Sequence, residues 1–173
     1  MERELEKERR DLARRGFVED KTPKLIEVID YKTNGITKRV LAAPKSQMDF
    51  REVEGGGYQF HRGLEDTDSS MVSGVMKIKG GGEKPTNSTG GTACTMLFYV
   101  LKGIVQVTVN ERKFVVSTGA QFVVPRGNQY SIANLSRMES HLYFVQAKTS
   151  DSEAPVPTAS QGRPQSQISS FFH

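Results

Sequence analysis

The stretch GAQFVVPRGNQYSIAN, residues 119–134, decides how this sequence folds. Its segment FVV (122–124) combines an aromatic with two β-branched residues, as strands do, and Pro125 ends hydrogen-bond donation where that strand ends. Gly127 permits a tight reversal at positive φ before the next strand. We therefore expect two strands joined by a Pro-x-Gly turn, with Gly119 closing the hairpin that precedes them.

The spacing of this stretch resembles the second conserved motif of the cupin superfamily. That motif is a glycine, five residues, Pro-x-Gly, two residues, a histidine, three residues and an asparagine. Every framework residue is present, and only the histidine is replaced, by Tyr130. The asparagine, Asn134, is expected to bond to the backbone of the turn that follows it. The resemblance implies an all-β fold, a cupin (jelly-roll) β-barrel.

Short apolar runs separated by glycine-rich breaks fill most of the chain between residues 24 and 148. No long amphipathic helix interrupts them, and many short strands with glycine turns are typical of a sandwich or a barrel. The predicted strands are YQFHRG (58–63), MVSGVMKIK (71–79), TMLFYVLKG (95–103), IVQVTVN (104–110), KFVVS (113–117), QFVVP (121–125), YSIAN (130–134) and HLYFVQA (141–147).

An Asn-Gly pair, Asn34-Gly35, lies between the apolar-rich runs LIEVIDY (25–31) and ITKRVLA (36–42). Both residues of the pair tolerate positive φ. The pair therefore predicts a β-hairpin with a type I′ turn.

Three regions follow from the changes in composition. Residues 1–20 mix Glu and Arg with a thin apolar stripe, which indicates a charged helical or flexible lead-in. Residues 21–149 form the predicted cupin domain. Residues 150–173 are rich in Ser, Pro and Gln and poor in core-forming residues, which predicts a disordered tail.

The composition argues against several classes of function. The net charge of +4 comes from 24 basic and 20 acidic residues that form no concentrated basic stripe, so direct DNA binding by this chain is not expected. No apolar run is long enough for a membrane-spanning helix, so no membrane partner is expected either. Cys94 is the single cysteine, which excludes an intrachain disulfide and fits a reducing compartment, the cytoplasm or the nucleus.

The first cupin motif ends in a glutamate, six residues and a glycine, with a pair of histidines shortly before the glutamate. When its glycine is placed on Gly103, Met96 takes the glutamate position, and glycines and threonines within residues 89–92 take the histidine positions. A cupin metal needs converging histidines and a carboxylate. We therefore expect no metal site, no cofactor and no catalytic residue. The histidines present, His61, His141 and His173, lie outside both motifs.

Two runs of the chain, 97–109 and 114–134, look like the cupin domain of the centromere protein C (CENP-C) family. Their most distinctive phrase is PRGNQYSI (125–132), and LYFVQA (142–147) matches the closing strand. The resemblance implies a nuclear protein of the centromere and kinetochore, whose homodimerising cupin supports kinetochore assembly and the recruitment of partner proteins at centromeric chromatin. The family's nucleosome-binding motif contains a tryptophan, which this chain lacks, so nucleosome binding is not implied for it.

Strand alternation gives TMLFYVLKG two different faces. If Met96 points inward from its former ligand position, alternate residues of the strand share its face and meet residues of YSIAN. This candidate inner pocket is mostly apolar with one phenol, and it either packs as a core or accepts a peptide side chain or small apolar ligand. Its members are Met96, Phe98, Val100, Tyr130 and Ile132.

The opposite face of the same strand is equally apolar and consists of Leu97, Tyr99 and Leu101. A strand that is apolar on both faces is either sandwiched or faces a second chain. We take these residues as the candidate dimer interface. Burial beneath the N-terminal hairpin is the competing interpretation.

The alternative function is a metal-independent cupin isomerase or epimerase, or a cupin that binds a small ligand. Such an enzyme would use Tyr130 with His61 or His141 as acid and base in a polar interior. The predicted lining is apolar and the face of Met96 carries no charged residue, which favours a non-catalytic scaffold.

Overall fold

The computed structural model describes residues 1–17, 21–30, 32–53, 57–66, 71–86 and 94–148. The predicted disordered tail, residues 150–173, lies outside these described residues. The elements are a helix, α1 (Glu2–Arg14), and the strands β1 (Lys24–Ile29), β2 (Ile36–Ala42), β3 (Arg51–Glu52), β4 (Tyr58–Asp66), β5 (Met71–Ile78), β6 (Glu83–Lys84), β7 (Cys94–Lys102), β8 (Ile104–Val109), β9 (Arg112–Ser117), β10 (Gln121–Val124), β11 (Tyr130–Asn134) and β12 (Ser140–Lys148), with one short 3-10 turn, Lys45–Gln47.

Two antiparallel sheets enclose the core. The larger sheet has six strands in the order β10-β7-β12-β5-β4-β3, and the smaller has four in the order β6-β11-β8-β9. The strands predicted from the sequence are all present, and the prediction of an all-β cupin fold is confirmed. The two-residue strands β3 and β6 were not predicted, because so short a segment shows no alternation.

The core lies between the inner faces of the two sheets. The larger sheet contributes alternate residues of β4, β5, β7, β10 and β12, and the smaller sheet contributes alternate residues of β8 and β11. This pattern is the period of two that places every second side chain on one face of a sheet. The most completely buried apolar side chains are Ile78, Phe98, Val100, Val105, Val107, Val124, Ile132 and Leu142.

The motif at residues 119–134 crosses between the sheets twice. Strand β10 ends at Val124, directly before Pro125, and Gly127 has a φ of +81°, as the spacing predicts. The prediction that Gly119 closes a hairpin is wrong. Strand β9 pairs with β8 in the smaller sheet and β10 pairs with β7 in the larger one, so the turn at Gly119 carries the chain from one sheet to the other.

Asn134 fastens the far end of β11 to three other segments. Its side-chain amide donates to the carbonyl oxygens of Ile78, Lys79 and Met138 at 2.8–3.0 Å. Its side-chain oxygen accepts from the Ser136 amide at 2.8 Å and from the Ser140 hydroxyl at 2.7 Å. The predicted bond to the following turn is therefore confirmed, and the same buried side chain also holds the loop after β5.

The N-terminal hairpin, β1 with β2, forms a separate two-stranded sheet. The predicted hairpin is confirmed, but the predicted type I′ turn is wrong: the strands end at Ile29 and resume at Ile36, and only Asn34 of the pair has positive φ, at 54°. Asp30 organises the longer loop, since its carboxylate accepts from the amides of Lys32 and Thr33 at 2.9 Å. These hydrogen bonds lower the pKa of Asp30.

The lead-in helix α1 has no buried residue and is stabilised by local ion pairs such as that of Arg10 with Glu6, at 3.3 Å. The sequence left open whether the lead-in, residues 1–20, is helical or flexible, and residues 2–14 of it form the helix α1. Within the described ranges, no helix is both long enough and apolar enough to cross a membrane.

Candidate inner pocket and interaction face

The five residues predicted to line an inner pocket are all buried and come together. Phe98 is their centre: its ring lies 4.7 Å from that of Phe122, 5.6 Å from that of Tyr130 and 6.3 Å from that of Phe144, measured between centroids. Stacked and tilted rings at such distances stabilise a core beyond their burial. The centre of the predicted inner pocket, around Phe98, is thus packed with aromatic side chains.

The structure adds a charged residue, Lys84, to the lining that the sequence predicted to be mostly apolar with one phenol. Strand β6 pairs with β11 in a register that sets Lys84 opposite Ile132. The side chain of Lys84 is buried, with 3% of its surface exposed, and its Nζ lies 4.0 Å from the centroid of the Tyr130 ring. The sequence carried no signal for this placement, because a two-residue strand after three glycines has no readable period.

Burial controls the ionisation of the three titratable groups at this end of the core. Desolvation lowers the pKa of Lys84 to about 8, although the neighbouring Glu83 carboxylate opposes the change. Desolvation also raises the pKa of the Tyr130 phenol, and the nearby Tyr58 phenol raises it further. The pKa of Tyr58 is itself raised by burial. Tyr130 is therefore a neutral hydrogen-bond donor near neutral pH and a poor general acid.

Two of the former metal-ligand positions, Met96 and Tyr130, lie in the described part of the chain and carry a thioether and a phenol. Met96 is buried on β7 and Tyr130 is buried on β11, so both positions face the interior as predicted. The remaining candidate positions, residues 89–92, lie outside the described residues. Among the residues that are described, no three His, Cys, Asp or Glu side chains cluster closely enough to hold a metal ion.

The proposed acid–base pairing of Tyr130 with His61 or His141 does not form. On β4, Tyr58 and Phe60 pack on the core, so His61 lies on the opposite face, where its Nδ1 is 2.9 Å from the carbonyl oxygen of Asp49. On β12, Leu142 is buried and His141 lies on the other face, 2.6 Å from the Glu139 carboxylate. The larger sheet therefore separates both imidazoles from the phenol of Tyr130.

The outer face of the larger sheet carries a continuous apolar surface. Leu97, Tyr99 and Leu101 are 42%, 38% and 45% exposed, so the alternative of burial beneath the N-terminal hairpin is not realised in the single chain. The register places Val123 beside Leu97 and Tyr143 beside Tyr99, and both of these neighbours are also exposed. We call these five residues the outer face; it spans three adjacent strands, β10, β7 and β12.

Sequence comparison finds relatives among kinetochore proteins. The chain is 30% identical over 110 residues to the inner kinetochore subunit cnp3 of Schizosaccharomyces pombe, covering 64% of this chain and 17% of that protein. It is 38% identical over 82 residues to the inner kinetochore subunit MIF2 of Saccharomyces cerevisiae, covering 47% and 15% respectively. The matched region thus spans less than a fifth of either relative. The predicted location, the nucleus and its centromeres, is confirmed by these relatives.

Structural comparison gives the same fold. The cupin domain of Schizosaccharomyces pombe Cnp3 superposes with a TM-score of 0.64 at 27% identity, covering 75% of this chain and 90% of that domain. The structure of KdgF from Halomonas superposes at 0.53 with 18% identity, covering 62% and 94%. CENP-C of Drosophila melanogaster, solved bound to CAL1, superposes at 0.50 with 20% identity, covering 61% and 85%. The last two likenesses establish the cupin fold alone.

The family model described as Mif2/CENP-C like matches residues 58–146. That range begins with β4 and includes the four-stranded sheet, the larger sheet apart from β3 and the end of β12, the inner pocket and the outer face. The resemblance seen in residues 97–109, 114–134 and 142–147 therefore extends over most of the folded cupin. This chain belongs to the Mif2/CENP-C-like family of centromere proteins.

Proposed function

We propose that this chain is a non-catalytic, homodimerising cupin domain of an inner kinetochore protein. Two copies pair through the outer face, and the pair supports kinetochore assembly and the recruitment of partner proteins at centromeric chromatin. The observation that carries the proposal is the outer face itself, an apolar surface on three adjacent strands that nothing in the described part of one chain covers.

The chemistry of the outer face favours a second copy. A contiguous apolar patch on a folded domain marks an interaction surface, and permanent homodimers bury roughly 2,000 Å² or more with an apolar centre. Aromatic residues such as Tyr99 and Tyr143 lie side by side at the middle of the patch, where binding energy concentrates in interfaces. A flat sheet face can pair with an identical face across a two-fold axis.

The interior supports a role without catalysis. Phe98, Phe122 and Phe144 pack against one another between the sheets, and the histidines that could act with Tyr130 lie on the other side of the larger sheet. The functional relatives are kinetochore subunits. These relatives are much longer chains, of which the match covers less than a fifth. The partners of this chain, whether kinetochore or centromeric chromatin proteins, are therefore part of the proposal.

The domain that pairs is proposed to be residues 21–149, without the charged helix and the tail. Light scattering of the full chain and of residues 21–149 tests this, because the rival interpretation assigns pairing to α1. Both proteins are expected to have twice the mass of one chain, which is 19.2 kDa for the full sequence. A trimmed protein that is folded by circular dichroism but monomeric at tens of micromolar would exclude pairing through the cupin.

A further inference from the structure

Lys84 is a cation inside the wall of the cupin. Its backbone is fixed by the pairing of β6 with β11, which sets it opposite the fully buried Ile132. Only 3% of its surface is exposed, whereas the adjacent Glu83 is exposed on the other side of the strand. Lysine is one of the residues least often buried without a charged partner. Its position therefore calls for a chemical explanation.

The ammonium group of Lys84 is only partly satisfied. Its Nζ donates one hydrogen bond, 3.1 Å long, to the carbonyl oxygen of Pro85 and lies over the ring of Tyr130. In the described part of the chain no carboxylate forms an ion pair with it. An ammonium has three donors, so two remain available, and a buried charge without a counter-charge is unfavourable.

Two phenols with free hydroxyl groups lie at the same end of the core. Tyr130 and Tyr58 each keep 6% of their surface exposed. Neither hydroxyl makes a hydrogen bond to another described residue. A phenol is neutral near pH 7, and burial, which raises the pKa of both tyrosines, keeps them neutral at higher pH as well. A neutral phenol can donate to an anion, and the small exposed fractions leave this end of the core in contact with solvent.

We propose that Lys84 and Tyr130, with Tyr58 beside them, form a carboxylate-binding site inside the cupin. The site supplies one positive charge and phenolic donors, which match a singly charged carboxylate, while Met96, an apolar residue of the same cluster that keeps 7% of its surface exposed, suits the carbon chain that carries it. The carboxylate belongs either to a small acid or to an acidic side chain of a bound peptide. This site does not depend on the pairing of two chains through the outer face.

The test follows Lys84 by NMR in the full chain labelled with ¹³C at lysine Cε. Lys84→Met identifies the signal, since it removes that resonance alone. Propionate is titrated against chloride at matched ionic strength, and a blocked peptide with one Glu is titrated against the same peptide with Gln. We expect a saturable shift of the Lys84 signal with propionate or the Glu peptide, and a rise of its apparent pKa by about one unit.

Matched variants separate the site from general effects of lysine. Lys77 also lies over an aromatic ring, with its Nζ 3.7 Å from the centroid of Phe50, but it faces outward on β5. Lys77→Met should leave propionate binding unchanged, and Tyr130→Phe, which keeps the ring and removes the hydroxyl, should weaken it several-fold.

Each outcome decides part of the proposal. Saturation by the peptide at lower concentration than propionate assigns the site to a partner's acidic side chain, and saturation by propionate alone assigns it to a small acid. Equal responses to chloride and propionate, or to the Glu and Gln peptides, would overturn the site. So would a folded Tyr130→Phe variant that binds propionate as tightly as the unaltered protein.

Discussion

Strand β7 has two faces of the same chemical character and opposite environments. Phe98 and Val100 on its inner face are fully buried, whereas Tyr99 and Leu101 on its outer face are 38% and 45% exposed. The difference is the presence of the four-stranded sheet opposite the inner face. The apolar residues along a strand thus show which of its faces are expected to be buried. Only the arrangement of the other strands shows which face is buried within the same chain.

The largest loss of stability should come from truncating a side chain on the inner face of β7. Phe98→Ala removes the ring that contacts Phe122, Tyr130 and Phe144, and should lower the free energy of unfolding by about 3–5 kcal/mol. Leu97→Ala on the outer face, measured in dilute protein where pairing does not contribute, should cost about 1 kcal/mol or less. Urea denaturation of both variants measures the contrast. Equal losses of unfolding free energy in the two variants would contradict the conclusion that only the inner face is buried within one chain.

Dimer formation through the outer face should be weakened more by an introduced charge than by a smaller side chain. Leu101→Glu or Tyr99→Arg would bury an unpaired charge at the centre of the proposed dimer, which costs several kcal/mol of association free energy. We expect a folded monomer by light scattering. Lys102→Glu is the control, because Lys102 ends β7 at the exposed edge of this surface and its reversal should leave the dimer intact. A dimer in the Leu101→Glu variant would remove the outer face from the proposal.

The sequence predicted the fold and the division of β7 into two faces because both depend on local patterns. The Pro-x-Gly spacing of residues 119–134 and the alternation in TMLFYVLKG are visible without knowing what lies nearby in space. The inward placement of Met96 and Tyr130 followed from the same alternation and is what the structure has.

Other features depend on contacts between distant segments and were not predictable. Lys84 reaches the core because β6 pairs with β11, a contact between residues some fifty positions apart that no local pattern encodes. The turn after Ile29 is longer than Asn34-Gly35 alone implies, because the Asp30 carboxylate organises the loop. The sequence around Gly119 is compatible with a hairpin as well as with a crossing between sheets. The pairing partners of β9 and β10 decide between the two.

The position of Tyr130 on the inner face depends on the turn that precedes it. Gly127 has a φ of +81°, and a Cβ placed there meets no atom within 4 Å, so substitution causes backbone strain without a collision. Gly127→Val should cost roughly 1–2 kcal/mol or somewhat more. Gly127→Asn is the matched control with a smaller cost, since asparagine tolerates this conformation. Thermal melting of both variants checks the order, and a Gly127→Val protein as stable as the original would contradict the turn.

The smallest predicted change in stability comes from Lys84, the buried charged residue in the described part of the chain. Burial lowers its pKa from 10.5 to about 8, so between these values the unfolded chain binds more protons than the folded one and stability rises with pH. Above about pH 10 the raised pKa of Tyr130 acts in the opposite direction, since the unfolded phenol then loses its proton first. From about pH 8 to 9.5 the free energy of unfolding should therefore increase by on the order of 1 kcal/mol, less than the full pKa difference implies because the group keeps some contact with solvent.

Urea denaturation across this range should show the rise in the original protein and in Lys77→Met, and Lys84→Met should abolish it. A slope that persists in a folded Lys84→Met variant would assign the pH dependence to another group.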